Sequence, residues 1–245
     1  MSNLSRRKLI TTGIAATSGV AGLAVATRLA DRYGLIPPNS GGIYGSGETL
    51  TYASQRLLTR HSLAREFPRG EISKPPYANC KPPQDEAFKR LQAAGFADWR
   101  LDIDGMVARP ASLSLAEIKG FPASSHITHL ACEEGWSFIA EWIGVPLSHV
   151  LNLVGVAPQA RYVVYFSIQP RWRQSIDMAD ALHPQTLLTY GMNGGELPIG
   201  HGGPLRLRVP RQLGYKNVKF LTSLTLTDSL KEFPPRGNYS WYAGI

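Results

Sequence analysis

Apolar positions along the chain repeat with two different periods. Trp99, Leu101 and Ile103 alternate with Arg100, Asp102 and Asp104, the two-residue period of a half-buried strand. Residues 126–132, 161–167 and 187–190 read as further strands. Leu205, Leu207 and Val209 alternate with Arg206 and Arg208, which puts both arginines on one strand face. Val218, Phe220, Leu224 and Leu226 carry an even-numbered apolar face into the last strand. Helical spacing is confined to short stretches. Leu147, Val150, Leu151 and Val154 share a helix face that Pro146 opens and Gly155 closes. Ser114 and Glu117 have capping-box spacing ahead of a short helix closed by Gly120. Asn193-Gly194 is a tight-turn signal. From residue 27 to about residue 97 the periodicity fades. Pro37-Pro38, Gly41-Gly42, Pro75-Pro76 and Pro82-Pro83 interrupt it, and only residues 85–94 read as helix. The predicted organisation is a leader at residues 1–30, an extended arm at 31–98 lying over the core, and a single α+β domain at 99–245 with mixed sheets and few helices.

Composition narrows the class. With 43% apolar and 18% charged residues in 245, extended disorder and collagen-like or coiled-coil repeats are excluded. The 24 glycines and 18 prolines favour many turns and short strands over a helical bundle. Two cysteines exclude a disulfide-rich scaffold and a four-thiolate zinc site. A net charge of +8 permits an anionic cofactor, substrate or membrane surface without naming one.

The first residues read as an address. Arg6-Arg7-Lys8 precedes a weakly apolar run at residues 11–30, which fits a twin-arginine export signal. The alternative is a plain membrane anchor, because the run is near spanning length. Ala24-Val25-Ala26 offers a small-residue cleavage site. Export of an already folded protein points to a periplasmic location and to a cofactor acquired before transport. An uncut leader would tether the domain, and membrane contact is expected only through the leader or a partner.

Two groups of residues carry candidate chemistry. Cys132 stands at a predicted strand end, followed by Glu133, Glu134, Gly135 and Trp136. It reads as a small buried residue, as half of a disulfide with Cys80, or as a thiolate ligand for a soft or high-valent metal. His201, Arg206, Arg208, Arg211, Lys216 and Lys219 form a basic run threaded with glycines. It reads as a solvated face or as an anion cradle, in which glycines admit the backbone and Arg and Lys hold phosphate. No Walker A or dinucleotide fingerprint is present. Nucleic-acid binding would need aromatic stacking platforms or a recognition helix near the basic run, and an exported location argues against it.

Ala131-Cys-Glu-Glu-Gly-Trp-Ser137, Ser175-Ile-Asp-Met-Ala-Asp-Ala-Leu-His-Pro184, Leu188-Thr-Tyr-Gly-Met-Asn-Gly194, Gly202-Gly-Pro-Leu-Arg-Leu-Arg-Val-Pro210 and Gly214-Tyr-Lys-Asn-Val-Lys219 occur in this order. Together they resemble the sulfite oxidase fold family of molybdopterin enzymes, over about residues 99–228. Within it they resemble the compact bacterial branch that includes the catalytic subunit of periplasmic methionine sulfoxide reductase. The resemblance implies the sulfite oxidase-type molybdopterin-binding fold, with molybdenum on a single pyranopterin dithiolene and Cys132 as the metal ligand. It implies cofactor contacts from Arg60, His61, Ser167, His201, Arg206, Asn217, Val218 and Lys219, and a catalytic Tyr190 beside the oxo group or substrate. Glu133-Glu134-Gly135 departs from the positively charged stretch that follows the ligand cysteine in sulfite oxidases, unless Arg60, Arg171 or Arg173 supplies charge from elsewhere. The implied activity is oxygen-atom transfer to or from a small substrate, first of all reduction of an S-oxide or N-oxide. Oxidation of sulfite or a related anion with a cytochrome acceptor is the alternative, and a non-catalytic anion or partner binder is the alternative of another class. Electrons would pass to or from a separate membrane haem protein or cytochrome.

Overall fold

A computed structural model describes residues 28–31, 34–38, 45–79, 81–234 and 239–245. All but the last residues of the expected leader, and Cys80, fall outside this set. By backbone contacts the chain divides into two units after Leu58. The described part of the first contains helix α1, Gly45–Leu58, with Glu48 in its first turn and Arg56 in its last, as the helix dipole favours. This helix lies within the segment expected to be an extended arm. Its buried positions are Glu48, Tyr52 and Arg56, four apart, and the Arg56 guanidinium lies 5.2 Å over the Tyr52 ring. A mostly polar inward stripe leaves no apolar period to detect.

The second unit, residues 59–245, is built on two sheets. The first sheet has the order β2-β1-β10-β5-β6. Its strands are β1 (Arg100–Gly105), β2 (Ala111–Ser114), β5 (Tyr162–Ser167), β6 (Arg173–Asp177) and β10 (Leu221–Thr227). β1 and β10 run parallel, and every other strand pair among the described residues is antiparallel. The second sheet has the order β3-β4-β7-β8, with β9 also paired to β7. Its strands are β3 (Ser124–Ala131), β4 (Ser137–Pro146), β7 (Leu187–Met192), β8 (Gly195–Glu196) and β9 (Arg206–Arg208).

The main core joins both sheets. Leu101, Ile103, Val163, Ile176, Leu224 and Leu226 come from the first sheet, and Val145, Leu188 and Leu207 from the second. Two helices close it: α3 (Leu115–Gly120) through Ile118 and α4 (Leu147–Val154) through Leu147, Val150, Leu151 and Val154. Both are as the sequence predicts. α3 starts in a complete Ser114/Glu117 capping box, and α4 stops at Gly155 in the left-handed region at φ 68°. The short helix α5 (Met178–Ala181) is capped by Asp177. The opposite face of the second sheet carries a smaller cluster of Leu130, Phe138, Ala140, Trp142, Leu187, Met192 and Leu197.

One predicted face needs correction. Val218, Leu221, Leu224 and Leu226 enter the main core, not an even-numbered series through Phe220. The register of β10 shifts between Leu221 and Ser223, and a β-bulge of this kind changes which residues point inward. Phe220, at φ 55°, packs edge-on against Phe88 of helix α2 (Glu86–Ala93), 5.4 Å between ring centres. The segment before α2 lies along the second sheet. Phe67 N–H donates to Ile127 O at 2.9 Å and Ser73 N–H to Ile139 O at 3.0 Å. No helix of the described residues is long and apolar enough to cross a membrane.

Candidate active site

Cys132 opens the hairpin loop between β3 and β4. Ala131 pairs with Ser137, Cys132 N–H donates to Trp136 O at 2.9 Å, and Gly135 N–H donates to Cys132 O at 3.1 Å. Gly135 sits at φ 89°, where a side chain would be strained, so the Cys-Glu-Glu-Gly-Trp order is matched to this turn. The thiol is free and buried, and it reaches the Glu133 carboxylate at 3.3 Å. Burial pushes its pKa up to about 11, and the neighbouring carboxylates push the same way.

The thiol borders a cavity of about 330 Å³, within the size range of small-ligand pockets. Leu130 and Phe138 of the second sheet's outer cluster form part of its wall. Residues from distant segments complete it. His201, Arg206, Asn217 and Lys219 all line it, so four of the predicted cofactor contacts meet beside the predicted ligand. β9 turns both Arg206 and Arg208 onto the Trp142 indole, with guanidinium carbons 5.0 and 5.3 Å from the ring centre. Arg206 donates to His201 O and Asn217 O, each at 2.8 Å. Asn217 accepts from Arg208 Nη1 at 2.8 Å and from Val209 N–H at 2.7 Å, and donates to Leu213 O at 3.0 Å. Lys219 Nζ donates to Asn79 O and Gly200 O, each at 2.7 Å. A Cβ at Gly202 would lie 2.7 Å from Lys219 Cβ, so only glycine allows this approach. Burial, with help from Arg206 and Lys219, drives the His201 pKa down to about 4 and keeps the imidazole neutral at neutral pH.

Five predicted contacts do not line the cavity. Tyr190 packs against the main core on the other face of the second sheet, with Lys119 Nζ 5.9 Å over its ring. The pairing of β4 with β7 skips it, passing from Ile143–Gly191 to Gly144–Thr189. Arg60 and His61 are exposed, and Arg60 offers only its carbonyl, to Arg211 Nη1 at 2.6 Å. Ser167 Oγ accepts from Gln169 N–H at 3.1 Å and so shapes the β5–β6 turn, whose Gln169 and Trp172 do reach the cavity. Val218 is core, and its carbonyl accepts from Leu207 N–H.

The sequence reading missed an aromatic wall of Tyr77, Trp136, Phe138, Trp172, Tyr215 and Tyr239. Trp136 and Phe138, four and six positions after Cys132, were the available signal. Among the described residues no three His, Cys, Asp or Glu side chains gather as a metal site. A metal at Cys132 would therefore take one sulfur from the chain and its other donors from a bound organic group. A neutral imidazole, two cations and a glycine-lined wall at Gly214 suit an anionic pterin, so the residues present fit the group that the resemblance implies.

Known proteins agree with this architecture. Residues 89–233 match the family model described as the oxidoreductase molybdopterin binding domain. A protein of Azospira oryzae named "Putative protein-methionine-sulfoxide reductase subunit YedZ1" is 38% identical over 77% of this chain and 70% of its own length. The protein-methionine-sulfoxide reductase catalytic subunit MsrP of Xanthomonas campestris is 34% identical over 59% of this chain. The chain spans about half of that relative, 49% of its length. The sulfane dehydrogenase SoxCD of Paracoccus pantotrophus shares the fold, with a TM-score of 0.55 at 23% identity over 69% of this chain and 46% of its own. The expected sulfite oxidase-type fold is the one observed. The chain belongs to the family of oxidoreductases built on the molybdopterin-binding domain.

Proposed function

We propose that this oxidoreductase reduces the S-oxide of methionine residues in polypeptides, in the periplasm, after folded export through the twin-arginine leader. When bound, a molybdenum on one pyranopterin dithiolene supplies two-electron oxygen-atom transfer. The chain's part is to bind and orient. Cys132 gives up its proton to become the metal's sulfur ligand. Arg206, Lys219 and His201 would hold the pterin and its phosphate, with Asn217 positioning their loop through Arg208 and Val209. Trp136, Trp172 and Tyr239 accept the S-methyl end of the substrate, since sulfur packs well at aromatic edges. Reduction consumes two electrons and two protons and releases the oxygen as water. A separate membrane haem protein or cytochrome supplies the electrons.

One observation carries the choice of substrate. Glu133 and Glu134 stand 3.3 and 3.9 Å from the Cys132 sulfur, whereas Arg60, Arg171 and Arg173 lie outside the cavity wall. Carboxylates so placed repel sulfite and tolerate an uncharged S-oxide. The names of the two relatives described above support the same reading.

The test is a substrate screen on molybdenum-loaded protein, with a chemically reduced dye as electron donor for the S-oxides and an oxidised dye as electron acceptor for sulfite. Methionine S-oxide peptides should be turned over, and sulfite should not be oxidised. Sulfite oxidation without S-oxide reduction overturns the reading. Replacing Arg6 and Arg7 by Lys should leave the protein in the cytoplasm, and unchanged export would refute the proposed route.

A further inference from the structure

The cavity wall has a feature that oxygen transfer does not require. Among the described residues, the exposed aromatic side chains are Tyr77, Trp172 and Tyr239, and all three line this one cavity. They are 52, 48 and 47% exposed, so they stand at its mouth. Tyr77 and Tyr239 are each packed on another ring. Tyr77 lies on Trp136 at 4.7 Å, and Trp136 Nε1–H donates to Glu134 Oε2 at 2.8 Å. Tyr239 stacks on Tyr215 at 5.0 Å and 26°. Its phenol is pushed up in pKa chiefly by Glu133, with a further push from Glu134, which puts Tyr239 within their field.

Ring faces and carboxylates both attract positive charge, and here they surround one opening. The cations that line or neighbour the cavity already have partners. Arg206 and Lys219 hold backbone carbonyls and, in the reading above, the pterin phosphate. Arg173 turns to Pro234 O and the Phe233 ring. The net +8 of the whole chain acts over longer distances, where physiological salt screens it within about 8 Å.

We infer that the mouth selects methionine S-oxides whose chain neighbours are Lys or Arg. The S-oxide side chain enters toward Cys132 while the adjoining residues stay at the collar of Tyr77, Trp172, Tyr239, Glu133 and Glu134. This deepens the proposed function and rests on it.

The experiment uses loaded enzyme and three peptides that differ only in the residues flanking the methionine S-oxide: Lys, Ser or Glu. At low salt, kcat/KM for the Lys peptide should exceed that for the Glu peptide about tenfold, as short-range charge pairs at a protein surface allow. The ratio should fall with added salt and approach one in the double variant E133Q/E134Q. Because it is taken within one preparation, the ratio is independent of cofactor content. A ratio near one in the native enzyme at low salt, with the Ser peptide reduced, overturns the inference and leaves the proposed function standing. Failure to reduce any of the three overturns the function. Titration with the corresponding sulfone peptides, followed by tryptophan fluorescence, then decides the charge preference alone: tighter binding of the Lys sulfone upholds it, and equal binding rejects it.

Discussion

Gly214 lies against Cys132. A Cβ built at Gly214 would sit 3.4 Å from Cys132 Cα and 3.5 Å from its Cβ, and 3.4 Å from Ala131 O. Two segments far apart in sequence thus meet at Cys132, and the loop after Leu213 forms part of the cavity wall.

That spacing makes a graded prediction. Gly214→Ala places its methyl at ordinary contact distance and should retain the cofactor. Gly214→Val carries two further methyl groups into the space beside the sulfur. Its bound molybdenum should fall at least about tenfold while the fold survives, because the cavity rim, not the core, is filled. Metal analysis with circular dichroism on both variants checks this, and equal loading of the two would contradict it.

Asn217 is the knot of the same loop. Its side chain accepts from Arg208 and from Val209 N–H and donates to Gln212 O and Leu213 O. Arg208 is fully buried, with its other contacts at Thr128 Oγ1 and His129 O. Asn217→Ala leaves a buried guanidinium nitrogen without its acceptor. Stranding such a group costs about 1–3 kcal/mol beyond the lost bonds. Denaturant unfolding should show a loss of about 3 kcal/mol, together with weaker cofactor retention.

His201 gives the protein an acid-side weakness. Its folded pKa, about 4, lies below the usual 6.5, so between these values the unfolded chain binds more protons than the folded one. The stability that depends on a neutral His201 is complete above about pH 6.5 and is lost as pH falls toward 4. In cofactor-free protein, His201→Asn should reduce the fall in Tm between pH 7 and pH 4.5 by a few degrees. An unchanged slope would mean that the buried imidazole does not titrate in this range.

The strands and short helices of the second unit were legible because their cores are apolar on a regular period. Leu101 and Ile103, or Val150, Leu151 and Val154, announce themselves by spacing. Helix α1 was not, since it buries Glu48 and Arg56. The site was half legible. Motifs close in sequence to Cys132 or in the basic run led to the cavity, because a hairpin loop and a glycine-rich segment carry their own signals. Tyr190 does not line the cavity, because a strand assigns faces by parity and bulges, which motif order does not record. The aromatic wall draws on Tyr77, Trp172 and Tyr239 from three separate segments, and only the fold brings them together.

The central claim is that the Cys132 sulfur holds the metal of a molybdopterin cofactor. Molybdenum content, measured on wild type and Cys132→Ala made side by side in a host with intact cofactor synthesis, tests it most directly. Near-stoichiometric metal in the wild type and at least about a tenfold loss in the variant, with activity lost in parallel, is the predicted result. Full molybdenum and full activity in Cys132→Ala would contradict it.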